Sequence, residues 1–274
     1  MKHIVQLTLG IMTALGGFVD LGQIVFTMQA GALFNFRLLW AIALGGIAIT
    51  LYMEMCGRVA AVANEPVFAV VRRRLGRPLG LATLVASNLL NLLTCAAELG
   101  AIAIILHLLT GMNERLAIVA GAVVLGAIVW LLKFQWIERT FGLAGLAMLV
   151  FGVATWKLHP HWGAVAGGFV PNLPEQGGQK LTLYAYFAVG IFSALLMEYE
   201  VHFYSSGAIE EKWTAKDLPE NTIVSVSGIV LGSLLTCALL ILGAMIFLPR
   251  AIYPDLLSTT ALPVALPLGR TALL

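Results

Sequence analysis

The sequence predicts an all-α integral membrane protein that crosses the bilayer about seven times. Of its 274 residues 60% are hydrophobic and 11% are charged, and the mean hydropathy is +0.94. A soluble domain carries about 25% charged residues. The charges fall between apolar runs, most of which reach the roughly 20 residues that a helix needs to cross the hydrocarbon. The lipid bilayer is therefore the expected surroundings of the chain.

Seven apolar runs alternate with charged or turn-forming segments. In order, the predicted spans cover residues 4–34, 38–62, 80–109, 116–132, 141–156, 182–206 and 222–248. The fourth and fifth runs are near the lower limit of about 17 residues for a spanning helix. Between the fifth and sixth runs, the segment from Lys157 to Leu181 contains several prolines and glycines, which predicts a loop with turns on the outer face.

Positive charge is concentrated on one side of the predicted membrane, and this sets the orientation. The bases of that side lie near the end of the second span and in the loops after the second, fourth and sixth spans: Arg58, Arg72, Arg73, Arg74, Arg77, Lys133, Arg139, Lys212 and Lys216. Because such loops stay in the cytoplasm, we expect a multi-pass protein of the cell (inner) membrane with a cytoplasmic N-terminus. The same rule accounts for the Arg72–Arg74 run without a nucleic-acid partner.

The first span contains an acidic residue where lipid is expected. Asp20 follows Gly16 and Gly17 and precedes Gly22 and Gln23, in the middle of the apolar run. A carboxylate at the bilayer centre costs roughly 2.5–3.5 kcal/mol by insertion scales. The glycines predict that the helix is broken there, which would expose backbone carbonyls beside the carboxylate. Carboxylate, carbonyls and the Gln23 amide together can bind a cation.

The third span contains Glu98 in an otherwise apolar helix. An ionisable residue in the membrane faces the bundle interior rather than lipid. A transport role and a structural hydrogen bond to a neighbouring helix are both consistent with this position.

The sixth span carries the next polar cluster, from Met197 through Glu198 and Glu200 to His202. Either the span ends early, with Glu200 onward in the cytoplasm, or the helix breaks and places Met197 near the bilayer centre. A methionine thioether is a soft ligand that selects transition metals, although most methionines are packing residues. The three cysteines also lie within apolar runs, so we expect buried thiols rather than disulfides.

Several segments in register resemble the Nramp family of proton-coupled divalent-metal transporters. The family signature Asp-Pro-Gly-Asn corresponds to Asp20-Leu21-Gly22-Gln23, and the sixth-span Met-Pro-His corresponds to Met197-Glu198-Tyr199, followed by Ser205-Ser206. The segments around Ala97-Glu98 and Gly76-Arg77-Pro78-Leu79 are similar as well. The resemblance covers nearly the whole chain.

This resemblance implies a LeuT-like fold, in which two five-helix inverted repeats enclose a metal site and helices one and six are broken mid-membrane. Residues 1–156 would form the first repeat and 182–274 the start of the second, within a single transmembrane domain over 1–274. Since the family has ten or more spans, about seven make an incomplete bundle. Missing C-terminal helices or a partner chain would complete it.

The resemblance also implies roles for individual residues. Those matching metal-binding positions are Asp20, Gln23, Met197 and, through backbone carbonyls, Gly17 and Ala194. Proton coupling would involve Asp20 and Glu98. Further residues placed along a cation pathway are Glu198, Tyr199, Glu200 and His202. The divalent metal and the proton are substrates, no cofactor is implied, and no HExxH-type motif or nucleophile-base pair indicates an enzyme.

Departures from the family pattern leave more than one function open. Leu21 and Glu198 replace the two motif prolines, and Tyr199 and Tyr204 stand where the family has histidines. The leading hypothesis is proton-coupled import of a Mn/Fe-like cation. The alternatives are a Mg-type or other divergent cation transporter of the same fold, and a non-transporting fragment or assembly partner. Asp20 argues against an amino-acid transporter, because the first helix break would then receive a carboxylate.

Overall fold

A computed structural model describes residues 20–133, 136, 140, 145–173, 178–196, 198–254, 259–260 and 262–269. These residues form helices and connecting turns, and no strand occurs among them. In chain order the helices are α1 (Leu21–Phe34), α2 (Leu39–Ala63), α3 (Val67–Leu75), α4 (Arg77–Thr110), α5 (Glu114–Leu131), α6 (Leu149–Lys157), α7 (Trp162–Gly167), α8 (Gly178–Leu195), α9 (Glu198–Glu210), α10 (Leu218–Leu242) and α11 (Leu262–Leu268).

Short turns wound more tightly or more widely than an α-helix join or extend some of these helices. A 3₁₀ turn over Asn35–Leu38 links α1 to α2, and a π-helical turn over Gly243–Phe247 continues α10. As a result, α1 with α2 and α10 with its extensions form two long helical stretches.

Among the described residues, four helical stretches are long and apolar enough to cross a membrane: Leu21–Ala63, Arg77–His107, Glu114–Leu131 and Ala215–Arg250. Two shorter apolar stretches of the described chain, Leu146–Lys157 and Lys180–Leu195, overlap the fifth and sixth predicted spans. Helices α4 and α5 expose many large apolar side chains, such as Leu93 at 67% and Trp130 at 89%. Apolar surface of this extent suits lipid rather than water, and the predicted all-α membrane protein is confirmed.

The buried core is built around α1, α2 and α10. Helix α10 packs against α1, α2 and α6, while α8 and α9 pack against α2. Met28, Leu39, Ile42, Leu239 and Phe247 are fully buried at these contacts. The α4–α5 pair packs chiefly on itself, with few contacts to this core.

Two glycines bring the backbones of α1 and the end of α10 into direct contact. A Cβ added at Gly31 would lie 2.1 Å from the carbonyl oxygen of Leu240, and one at Gly243 would lie 2.2 Å from that of Met28. Small residues at such crossings let helices approach closely, where dispersion and weak polar contacts replace the hydrophobic effect in lipid. This contact fixes α1 against α10 just beyond the candidate site.

Both predicted helix breaks fall near observed helix ends. α1 begins at Leu21, and Asp20 before it has extended backbone, with φ −83° and ψ 164°. The part of the first predicted span before Asp20 lies outside the described residues. α8 ends at Leu195 and α9 begins at Glu198, so the sixth predicted span consists of two helices.

Two expectations need correction. The prediction of a buried thiol holds for Cys56 and Cys237 but is wrong for Cys95, which is exposed on α4 because few elements of the described chain cover that helix. The predicted outer loop contains the short helix α7, since the His161 side chain accepts the Ala164 N–H at 3.3 Å and caps its first turn.

Candidate metal site

The site is organised by the N-terminus of α1, where Asp20 is the cap. Its side chain accepts the backbone N–H of Gln23 at 2.5 Å. The first N–H groups of a helix have no partner within the helix, and an Asp at this position satisfies one of them. The carboxylate that the sequence places in the membrane is therefore held at the positive end of a helix that starts there.

A second carboxylate reaches the same helix end from α4. The Oε1 atom of Glu98 accepts the backbone N–H of Leu21 at 3.0 Å. Glu98 is half-buried, and its contact spans 77 positions in the sequence. Two carboxylates at one helix end repel each other, and the partial positive charge of the helix offsets about half an elementary charge. The pair therefore favours a cation or a proton beside it.

Gln23 adds a neutral amide group, whose oxygen is a possible metal ligand, in the first turn of α1. Its side chain is 4% exposed, and Nε2 donates to Thr236 Oγ1 of α10 at 3.4 Å. The Gln23 Oε1 atom is buried and has no hydrogen-bond partner among the described residues. Buried polar atoms are nearly always paired, so an unpaired amide oxygen marks a place where a ligand can bind.

Of the other predicted ligands, Ala194 lies beside the break between α8 and α9. Ala194 is half-buried in the last turn of α8. Just after that turn, the backbone N–H of Leu196 donates to the carbonyl oxygen of Ser193 at 3.1 Å. Met197 and Gly17 lie outside the described residues. The structure thus brings Asp20, Gln23 and Glu98 together and leaves the position of the soft donor a prediction.

The remaining pathway residues belong to α9. The backbones of Glu198, Tyr199 and Glu200 form its first turn. Their side chains lie outside the described part of the structure. The His202 ring stacks on Phe68 of α3, with ring centroids 3.9 Å apart. His202 therefore contacts the short helix that also carries the arginine run.

The candidate metal ligands among the described residues are oxygen atoms. Carboxylate and amide oxygens suit hard cations such as Mg, Ca and Mn. No cluster of three or more His, Cys, Asp or Glu side chains forms within the described ranges. The described part of the site therefore combines two carboxylates with one amide, and a full coordination shell needs further donors.

A buried polar cluster that the sequence did not indicate lies between α2, α9 and α10. Asn221 is fully buried; its Oδ1 accepts the Tyr204 hydroxyl at 2.9 Å, and its Nδ2 donates to Glu54 O at 3.1 Å. Ser225 Oγ also lies 3.2 Å from the Tyr204 hydroxyl. The predicted seventh span begins one residue after Asn221, which leaves this amide outside the predicted spans. Its buried position depends on tertiary packing.

The family model described as natural resistance-associated macrophage protein-like matches residues 10–262.

The chain belongs to the Nramp family.

Curated Nramp relatives agree with this assignment. The chain is 26% identical over 260 residues to a divalent metal cation transporter MntH of Staphylococcus haemolyticus, covering 90% of this chain and 56% of the relative. It is 30% identical over 196 residues to the MntH of Deinococcus radiodurans, covering 69% of this chain and 43% of that protein. The chain thus spans about half the length of the curated relatives it matches.

Solved structures give the same fold. The crystal structure of the Eremococcus coleocola manganese transporter with an aromatic bis-isothiourea compound matches with a TM-score of 0.73 at 21% identity. The match covers 97% of this chain and 62% of that one. The predicted LeuT-like Nramp fold is therefore confirmed, as part of a longer architecture.

Proposed function

We propose that this chain binds a divalent transition-metal cation at the N-terminus of α1 and takes part in moving it across a membrane. The observation that carries the proposal is the arrangement of Asp20, Glu98 and Gln23. Two carboxylates cap one helix end, and an unpartnered, buried amide oxygen lies one turn away among the described residues. The named functions of the relatives, divalent metal cation and manganese transport, support this choice.

Charge favours a dication over a single-charged ion. The helix end offsets roughly half of one negative charge, so two ionised carboxylates retain an excess of more than one negative charge. Uncompensated charge within an apolar bundle is costly. A dication neutralises the pair when bound, and a proton on one carboxylate does so in part when the metal has left.

This exchange is the physical basis that we propose for proton coupling. Asp20 binds the metal directly, and Glu98 takes up or releases the proton at the same helix end. Since metal and proton compete for the same negative charge, metal affinity rises with pH. If the proton and the metal cross the membrane in the same direction, the protein is a symporter.

The remaining ligands are proposed from the family pattern. Backbone carbonyls of Gly17 and Ala194 would add oxygens, and Met197 would add sulfur from the break between α8 and α9. Oxygen donors alone do not discriminate against Mg, whereas a thioether favours cations softer than Mg, such as Fe and Cd. Glu198, Glu200, Tyr199 and His202 would line the route on the α9 side.

The proposed setting is the inner membrane of a cell, with import as the direction. The bases of the loops after the second, fourth and sixth spans support a cytoplasmic N-terminus. Residues 1–156 would correspond to the first five-helix repeat and 182–274 to the start of the second. No cofactor and no enzymatic activity form part of the proposal.

The proposal is tested by titrating Mn²⁺ into the purified chain in lipid nanodiscs and measuring heat. We expect saturable binding in the parent and its loss in Asp20→Asn, which retains the shape but not the charge. Glu65→Gln is the matched control, because Glu65 pairs with Arg73 at 2.8 Å on the surface and also loses one charge. Equal Mn²⁺ affinity in Asp20→Asn and the parent would refute the site.

A second candidate function is a non-transporting assembly partner. Metal flux into proteoliposomes separates the two functions. Saturable Mn²⁺ uptake by the chain alone supports a transporter, whereas binding without uptake supports the partner role.

A further inference from the structure

Thr236 of α10 contacts the amide of Gln23 inside the core. Thr236 is fully buried. Its hydroxyl donates to the backbone carbonyl of Gly232 at 3.0 Å and accepts from Gln23 Nε2 at 3.4 Å. These two bonds join the backbone of α10 to a side chain of α1 across 213 positions of sequence.

The chemistry of these groups fixes the direction of the amide. A backbone carbonyl can only accept, so the single hydroxyl proton of Thr236 is used on Gly232. The hydroxyl oxygen can then only accept, which selects the NH₂ end of the Gln23 amide rather than its oxygen. The Oε1 atom is left on the other side of the amide, without a partner among the residues described.

We infer that Thr236 is a positioning residue that presents the carbonyl oxygen of Gln23 to the cation. The inference rests on the proposed function, because it assigns a role within the same site. Glutamine has one more rotatable bond than the asparagine of the family signature, and ordering that bond costs entropy. A fixed partner on α10 removes this freedom before the metal binds.

Thr27 provides a matched comparison on α1. It lies one turn beyond Gln23, is 1% exposed, and its hydroxyl has no hydrogen-bond partner in the described part of the chain. Thr27→Val and Thr236→Val therefore make the same chemical change at two equally buried positions. Of the two, Thr236 contacts the Gln23 amide.

The test measures Mn²⁺ affinity by calorimetry in nanodiscs for the parent, Thr236→Val, Thr236→Ser and Thr27→Val. The loss of one neutral hydrogen bond predicts about three- to tenfold weaker binding in Thr236→Val. Thr236→Ser keeps the hydroxyl and should bind within about twofold of the parent, as should Thr27→Val. Thr236→Val binding as tightly as the parent would overturn the inference.

A double-mutant cycle separates positioning from general damage to the fold. If Thr236 acts through the amide, adding Thr236→Val to Gln23→Ala weakens Mn²⁺ binding no further. An equal, additive loss in both backgrounds would show that Thr236 acts by another route. Should Thr236→Val not fold, Thr236→Ala and Thr236→Ser carry the same comparison.

The outcomes also separate this inference from the proposed function. If the parent chain binds no Mn²⁺, the proposed metal site fails and the role of Thr236 fails with it. If the parent and Thr27→Val bind while Thr236→Val is unaffected, the metal site stands and the positioning role alone is refuted.

Discussion

Replacing Gly57 with alanine should destabilise the protein, although alanine is the better helix former. Gly57 lies in α2 against the buried cluster of Asn221 and Tyr204. An added Cβ would lie 1.9 Å from Asn221 Oδ1 and 2.7 Å from Tyr204 Cε1, well inside van der Waals contact. Since Asn221 is fully buried between helices, its side chain can yield only by giving up its hydrogen bonds.

The size of the effect follows from the bonds that are lost. Displacing Asn221 breaks the bond from the Tyr204 hydroxyl and the bond to Glu54 O, and it leaves buried polar groups unpaired. Each such loss costs about 1–2 kcal/mol. The gain from alanine in a helix interior is about 1 kcal/mol. We therefore expect a net loss of about 1–3 kcal/mol in the free energy of unfolding.

The measurement is thermal unfolding in detergent of the parent, Gly57→Ala and Gly126→Ala. Gly126 is the matched control, because it lies inside α5 with nothing within 4 Å of an added Cβ. Gly126→Ala should unfold at the same temperature as the parent or slightly above it, and Gly57→Ala several degrees below. A Gly57→Ala protein at least as stable as Gly126→Ala would refute the packing described between α2, α9 and α10.

Three further predictions concern the contacts of α1 and the proposed ligands. Gly31→Ala should prevent correct folding, because its Cβ would lie 2.1 Å from the backbone oxygen of Leu240, which cannot rotate away. A folded, monodisperse peak of this variant in size-exclusion chromatography would contradict the prediction. Glu98→Gln should flatten the rise of Mn²⁺ affinity with pH, since one competing proton site is removed; an unchanged pH dependence would exclude Glu98 from proton coupling. Met197→Ala should weaken Cd²⁺ binding more than Mg²⁺ binding in a competition titration. An equal loss of affinity for both ions would exclude a sulfur ligand.

The all-α membrane class and the second span were predicted well, because both depend on local properties. Hydropathy over about 20 residues marks a spanning helix, and a carboxylate flanked by glycines within such a run marks its interruption. The predicted second span, 38–62, accordingly matches α2 over Leu39–Ala63. Near the predicted helix break, α1 begins at Leu21 with Asp20 as its cap.

The partners of the site could not be predicted from the sequence in the same way. The bond from Leu21 N to Glu98 joins residues 77 positions apart, and the bond from Gln23 to Thr236 joins residues 213 apart. A threonine within an apolar run carries no local signal of its role, since it usually bonds to its own helix. The exposure of Cys95 likewise depends on which helices cover α4, and hydropathy alone does not report this.

An anomalous difference map at the manganese edge, from crystals of the chain grown with Mn²⁺, would test the metal site most directly. We expect a peak within about 2.6 Å of a carboxylate oxygen of Asp20 and of Oε1 of Gln23, the range of oxygen ligands in protein metal sites. A fully occupied manganese peak elsewhere in the bundle, with both of these oxygens free of metal, would contradict it.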